Sequence, residues 1–190
     1  MVIISIKFKS SEVKMEITNY KIILAGDGGV GKTTYINQLL KGKFTNTYTP
    51  TLGVDVFVLA FNTNYGMFVL DIWDTAGQEK FKGLGDNYFM RSDGAIVMFD
   101  ITAKNTLKNI KTWVSSIKNK NKGKNIPIGI YGNKFDVVIE DKDRIKTKHP
   151  KISCKSCYNV YAPIVDILQK ITGHEDLVQV VDVEEELATN

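Results

Sequence analysis

The chain has 190 residues, of which 43% are hydrophobic, 10% aromatic and 24% charged, with a formal net charge of +4. That balance suits one soluble α/β or α+β domain and excludes a disordered, collagen-like or coiled-coil protein. The longest apolar runs, such as Ala95–Phe99, are too short to cross a bilayer, and the apolar start is too brief for a secretory signal.

Two cysteines are too few for a disulfide framework, which predicts a reducing, intracellular compartment. Charge is unevenly spread: Ile101 to Phe135 holds eight lysines and no acid, whereas Glu175 to Asn190 holds six acids and no base. The run Lys118, Lys120, Lys122, Lys124 has no aromatic side chain between its lysines. A solvated helix face and a polar tail are therefore expected, with no direct nucleic-acid partner.

In chain order, Lys21–Ala25 is an unbroken apolar run ending in glycines, which predicts a buried parallel strand. Ile36, Leu39 and Leu40 follow at helical spacing, with Gly42 available as a C-terminal cap. Val54, Val56, Val58 and Ala60 alternate into the turn signal Asn62–Gly66, and Met67–Trp73 returns as the second strand of an antiparallel hairpin. Ala95–Phe99 and Ile126–Tyr131 predict two more buried strands. The helix between them carries Leu107, Ile110, Val114 and Ile117 on one face, with Lys104, Lys108, Lys111 and Lys118 off it. Val160, Ile164, Leu168 and Ile171 mark a last helix, with Pro163 in its first turn and Gly173 past its end. The sum is an α/β fold: a mostly parallel six-stranded sheet with one antiparallel edge strand and helices on both faces. Its ligand belongs at the carboxyl ends of the strands. Residues 1–18 are expected to form an extension, 19–175 the domain, and 176–190 a short acidic tail.

One stretch carries explicit chemistry. Gly26-Asp27-Gly28-Gly29-Val30-Gly31-Lys32-Thr33 matches G-x-x-x-x-G-K-[ST], directly after a strand and opening a helix. The glycines let backbone N–H groups wrap a polyphosphate, and the helix N-terminus adds a favourable dipole. Lys32 can reach the β- and γ-phosphates, and the Thr33 hydroxyl can ligate Mg²⁺. The loop defines a nucleoside triphosphate but not its base.

Three further motifs complete a resemblance to the Ras-like small GTPases: Asp74-Thr75-Ala76-Gly77-Gln78, Asn133-Lys134-Phe135-Asp136 and Ser153-Cys154-Lys155. The resemblance implies the P-loop NTPase fold, GTP/GDP as ligand, Mg²⁺ as metal and hydrolysis of GTP to GDP by a monomer that is slow without an activating protein. By that likeness Asp74 holds Mg²⁺ through water, Gly77 offers its N–H to the γ-phosphate, and Gln78 orients the attacking water. Thr51 corresponds to the threonine that ligates Mg²⁺ and touches the γ-phosphate, Phe44 to the aromatic against the guanine edge, and Tyr48 to a tyrosine over the phosphates. Thr34 extends the phosphate loop, and Gly28 matters by lacking a side chain. Asp136 can accept from the N1 and N2 hydrogens of guanine, which adenine cannot supply, so it selects GTP over ATP. Asn133 and Lys134 accompany it, and Ser153, Cys154 and Lys155 form the supporting base loop.

Within that family the Ran branch is the most similar, through Thr51-Leu52-Gly53-Val54, the turn Asn62–Gly66, Trp73–Phe81, Asn125–Ile128 and Ser153–Asn159. That likeness implies transport receptors of the importin-β type, an exchange factor and a GTPase-activating protein as partners, in nucleus and cytoplasm. Glu184–Asn190 holds no cysteine, so no lipid anchor is expected. The alternatives are a Rab-like trafficking GTPase and a GTP-holding decoy that sequesters receptors. The connection from Asp136 to Ser153 is shorter than in Ran-type chains, and Gly85 stands where they carry an arginine. Cys154 and Cys157 form C-x-x-C, a zinc or redox pattern, but only His149 and His174 remain as further His or Cys ligands. Coincidental spacing is the favoured reading.

Overall fold

The computed structural model describes residues 2–8, 11–17, 19–42, 51, 53–75, 86–137 and 145–180. Strands β1 (Val2–Phe8) and β2 (Ser11–Ile17) pair antiparallel from Val2↔Ile17 to Phe8↔Ser11, as a two-stranded sheet of their own.

The main sheet holds β3 (Asn19–Ala25), β4 (Val54–Thr63), β5 (Gly66–Thr75), β6 (Gly94–Asp100) and β7 (Ile128–Asn133), in the order β4-β5-β3-β6-β7. β3 lies at the centre, parallel to both β5 and β6, and β7 is parallel to β6. The antiparallel edge is β4, paired with β5 down to Thr63↔Gly66. The unbroken apolar runs follow from burial on both faces. On β3 and β6, Ile22, Leu24, Ile96 and Met98 point to one side, where they meet Tyr35 and Ile36 of helix α1 (Lys32–Lys41) and Ile164 and Leu168 of helix α3 (Ala162–Thr172). Their neighbours Ile23, Ala25, Val97 and Phe99 point to the other, against Ile110, Trp113 and Ile117 of helix α2 (Lys104–Lys120).

Six strands were expected, and among the described residues the sheet has five. Beside β7 the chain makes a single parallel bridge, Gly132↔Lys151, held by Gly132 N–H on the Pro150 carbonyl and Ile152 N–H on the Gly132 carbonyl. Pro150 lacks the N–H that would carry the ladder one step back, and Ser153 turns to pair with Tyr158 instead.

The alternating row Val54, Val56, Val58 on β4 has its exposed side outward, with Val58 63% exposed, and the inner row is Phe57, Leu59, Phe61 and Thr63. The helix ends match their residues: Gly42 and Gly173 both take left-handed φ and cap the carbonyls of Gln38 and Gln169. Leu40, placed at helical spacing with Ile36 and Leu39, is 37% exposed, while Tyr35 on the same helix is fully buried. After α3 the chain crosses the hairpin tip: the Asn64 and Val180 N–H groups donate to the carbonyls of Val178 and Asn62, and His174 stacks on Tyr65 at 4.0 Å. Among the described residues no helix is long and apolar enough to cross a membrane.

Candidate functional site

The site forms where β3, β5 and β7 end, at the carboxyl edge of the parallel strands. Leaving β3, the loop needs glycine at two points. Gly26 has φ +140, and a Cβ there would lie 2.2 Å from the Met98 carbonyl oxygen. Gly31 has φ +98 as the residue before α1, and its Cβ would meet the Asn133 side-chain nitrogen at 2.4 Å. Gly29 also has positive φ, whereas Gly28 does not and is exposed, so backbone freedom is not what calls for glycine at 28. Val30 is fully buried and anchors the loop in the core.

Lys32 is 6% exposed and arches back over this loop, its Nζ donating to the carbonyls of Gly26 at 2.7 Å and Asp27 at 3.0 Å. Burial lowers its amine to about 8, against the opposing pull of the Asp74 and Asp27 carboxylates. Such an ammonium lacks a full counter-charge and suits an incoming polyanion.

Three oxygen-bearing side chains meet beside it. The Thr33 and Thr51 hydroxyls lie 3.0 Å apart, and Thr33 also donates to Asp74 Oδ2. Asp74 is fully buried at the end of β5, and its Oδ1 has no hydrogen-bond partner among the described residues. Its carboxyl is raised first by desolvation and further by Asp55, against the Thr33 hydrogen bond, Lys32 and Thr51. A buried carboxylate oxygen without a partner, next to two hydroxyls, is a hard-oxygen donor set that fits Mg²⁺.

A third cluster lies beyond β7. Asn133 is 2% exposed and works as a brace, its Nδ2 donating to the Val30 carbonyl at 2.9 Å and its Oδ1 accepting from Cys154 N–H at 3.2 Å. Asp136 accepts from the Ser153 hydroxyl, which is fully buried. Lys134, with φ +68, pairs with Asp100 Oδ2 at 2.7 Å. Lys155 is exposed, while Thr34 is half-buried in the first turn of α1. The structure thus brings together the phosphate loop, Thr51, Asp74, and the Asn133–Asp136 and Ser153–Lys155 stretches. Phe44, Tyr48, Gly77 and Gln78 lie outside the described residues.

The motifs do not reveal what holds Asp27. Its Oδ2 accepts from Asn109 Nδ2 and its Oδ1 from Trp113 Nε1, both at 2.7 Å. The carboxylate is clamped from α2, so this loop residue positions the phosphate loop through its side chain. The only sequence sign is an Asn and a Trp four residues apart, on one helix face. Trp113→Phe keeps an aromatic ring in the core but removes the indole N–H with its charge-assisted hydrogen bond, and part of the indole's packing. We expect a loss of ~1.5–3 kcal/mol in urea unfolding with an unchanged m-value. A loss below ~0.5 kcal/mol would show that the clamp is idle.

Fold and site together define an α/β nucleotide-binding protein with a P-loop. Comparison with protein-family models matches residues 21–172, well over half of the chain, to the Ras family. The chain belongs to the Ras family: it is a GTP-binding small GTPase switch that hydrolyses GTP, and such proteins generally work with exchange factors and GTPase-activating proteins.

Proposed function

We propose that this protein is a Ran-like, Mg²⁺-dependent GTPase switch acting in nucleocytoplasmic transport, as a monomer in nucleus and cytoplasm. The observation that carries the chemistry is the pairing of Lys32, folded onto its own loop, with the Thr33, Thr51 and Asp74 oxygens beside it. Lys32 exchanges the carbonyls of Gly26 and Asp27 for the β- and γ-phosphates of GTP, with the backbone from Gly26 to Thr34 around them. Thr33 and Thr51 would hold Mg²⁺, with Asp74 behind them; when bound, the ion would supply neutralisation of the phosphate charge. Gly77 N–H and Gln78 address the γ-phosphate and the attacking water, while Phe44 and Tyr48 cover base and phosphates. Asp136 reads guanine, with Asn133, Ser153 and Cys154 holding its loop in place. Unaided turnover is slow, because no arginine stands in the motifs to stabilise transition-state charge.

The transport assignment is supported by the stretches Thr51–Val54, Trp73–Phe81 and Ser153–Asn159. It implies importin-β-type receptors as partners of the GTP form. The test is capture of such a receptor by GTP-loaded Gln78→Leu protein, with GDP-loaded protein as control. GTP-dependent capture is expected. Equal capture in both states, or none with nucleotide loading verified, would overturn the transport role while leaving the GTPase in place.

A further inference from the structure

Cys154 and Cys157 face the same helix from the base loop. Ser153 N–H donates to the Tyr158 carbonyl at 2.9 Å and the two residues pair antiparallel, so the cysteines are first and last of the four turn residues between them. A four-residue loop closed by such a pair holds its end residues close together, as a disulfide, which spans about 4.4–6.8 Å between Cα atoms, requires. Cys157 is held in a left-handed conformation, φ +59, which a side chain seldom adopts.

Their surroundings differ in a way that orders a reaction. Cys157 is exposed, and its Sγ accepts from Gln38 Nε2 of α1 at 3.0 Å. Cys154 is buried in the core cluster that holds Tyr35, one turn before Gln38 on the same helix. Two polar atoms of these α1 residues, Tyr35 OH and Gln38 Oε1, are buried with no hydrogen-bond partner among the described residues. The core cluster of the inner thiol thus also holds a spare hydroxyl donor, and an amide donor is already on the outer thiol.

We propose that Cys154 and Cys157 form a reversible dithiol–disulfide switch that loosens the guanine loop when oxidised; this rests on reading that loop as the base site. The oxidant is a low-molecular-weight disulfide. The Cys157 thiolate attacks one of its sulfurs, forming a mixed disulfide and releasing one small thiol. The Cys154 thiolate then attacks the Cys157 sulfur, closing the internal bond and releasing the second small thiol. Two protein thiols are oxidised and one small disulfide is reduced to two thiols, with two protons carried away on them.

Burial holds the Cys154 thiol up at about 12, so the inner cysteine is the resolving partner and reacts as the loop opens. Closing the bond draws Cys154 toward the loop surface, and its N–H leaves the Asn133 carbonyl oxygen it now serves. Asn133 also ties the phosphate loop through Val30, so both ends of the nucleotide site feel the change. Such disulfides in a reducing compartment are transient and sensing rather than structural.

The test uses the full chain loaded with a fluorescent GDP analogue and exposed to glutathione disulfide. We expect an intact mass lower by two hydrogens, roughly tenfold faster release of the analogue and recovery with dithiothreitol. Cys157→Ser, at an exposed position, should fold normally and show neither change. A mixed disulfide that never resolves would overturn the proposal, as would an internal disulfide with unchanged release. A reduced chain that holds no nucleotide would instead overturn the base-site reading, while the mass still reports on the bond.

Discussion

Lys32→Ala protein should lose GTP affinity by roughly 10²–10⁴-fold while its nucleotide-free form stays folded. Removing a buried partner of a bound charge costs about 3–5 kcal/mol, which sets that range. The second half of the expectation is the sharper one. In the free protein the Lys32 amine is buried, its pKa lowered to about 8 by desolvation, so its charge costs stability there. Replacing it with alanine removes that cost along with hydrogen bonds to the Gly26 and Asp27 carbonyls. Thermal unfolding should therefore show a midpoint close to that of the parent without nucleotide, and no rise when GTP and Mg²⁺ are added. Collapse of the nucleotide-free form would mean that Lys32 is a structural brace and that its place in the site is incidental.

Gln78→Leu should bind GTP normally and lose activator-stimulated hydrolysis by ~10³–10⁵-fold, the whole increment an activating protein supplies. That corresponds to roughly 4–7 kcal/mol of barrier. The pocket would survive because Lys32, Thr33, Thr51 and Asp136 reach their positions from other segments, and Asp74 is fixed at the end of β5 by its hydrogen bond from Thr33. Single-turnover hydrolysis with the activating protein reads the first effect, and equilibrium binding of a GTP analogue reads the second. Stimulated turnover at the parent's rate would remove Gln78 from the chemistry.

The phosphate loop was legible because its residue types answer to local demands. Gly26 and Gly31 sit where a Cβ would strike a carbonyl oxygen or a neighbouring amide, and Lys32 and Thr33 follow at fixed offsets. Period alone decided less. On β4 it gave the spacing of two rows but not their phase, because Val56 and Val58 are as apolar as Leu59 and Phe61. The clamp on Asp27 escaped notice because α2 enters the site from more than eighty residues away, with no motif to mark Asn109 or Trp113. The sixth strand failed at Pro150 for want of one N–H, a detail below the resolution of hydrophobic pattern.

The strand order also governs how the molecule assembles. β3, from whose end the phosphate loop springs, has no sequence neighbour beside it in the main sheet; its partners are β5 and β6, as in Ile22↔Ile72 and Ile22↔Gly94. Those pairings require loops of about 50 and 70 residues to close, whereas β4 and β5 need only the two-residue turn at Asn64 and Tyr65. Folding is therefore set by distant closures rather than by the hairpin, and its rate belongs with the slower, non-local topologies. The chain cannot gather its phosphate, metal and base ligands until the central strand has been flanked on both sides. A nucleotide can thus trap the finished fold, while the contiguous loop from Gly26 to Thr34 offers it by itself only the phosphate part of the site.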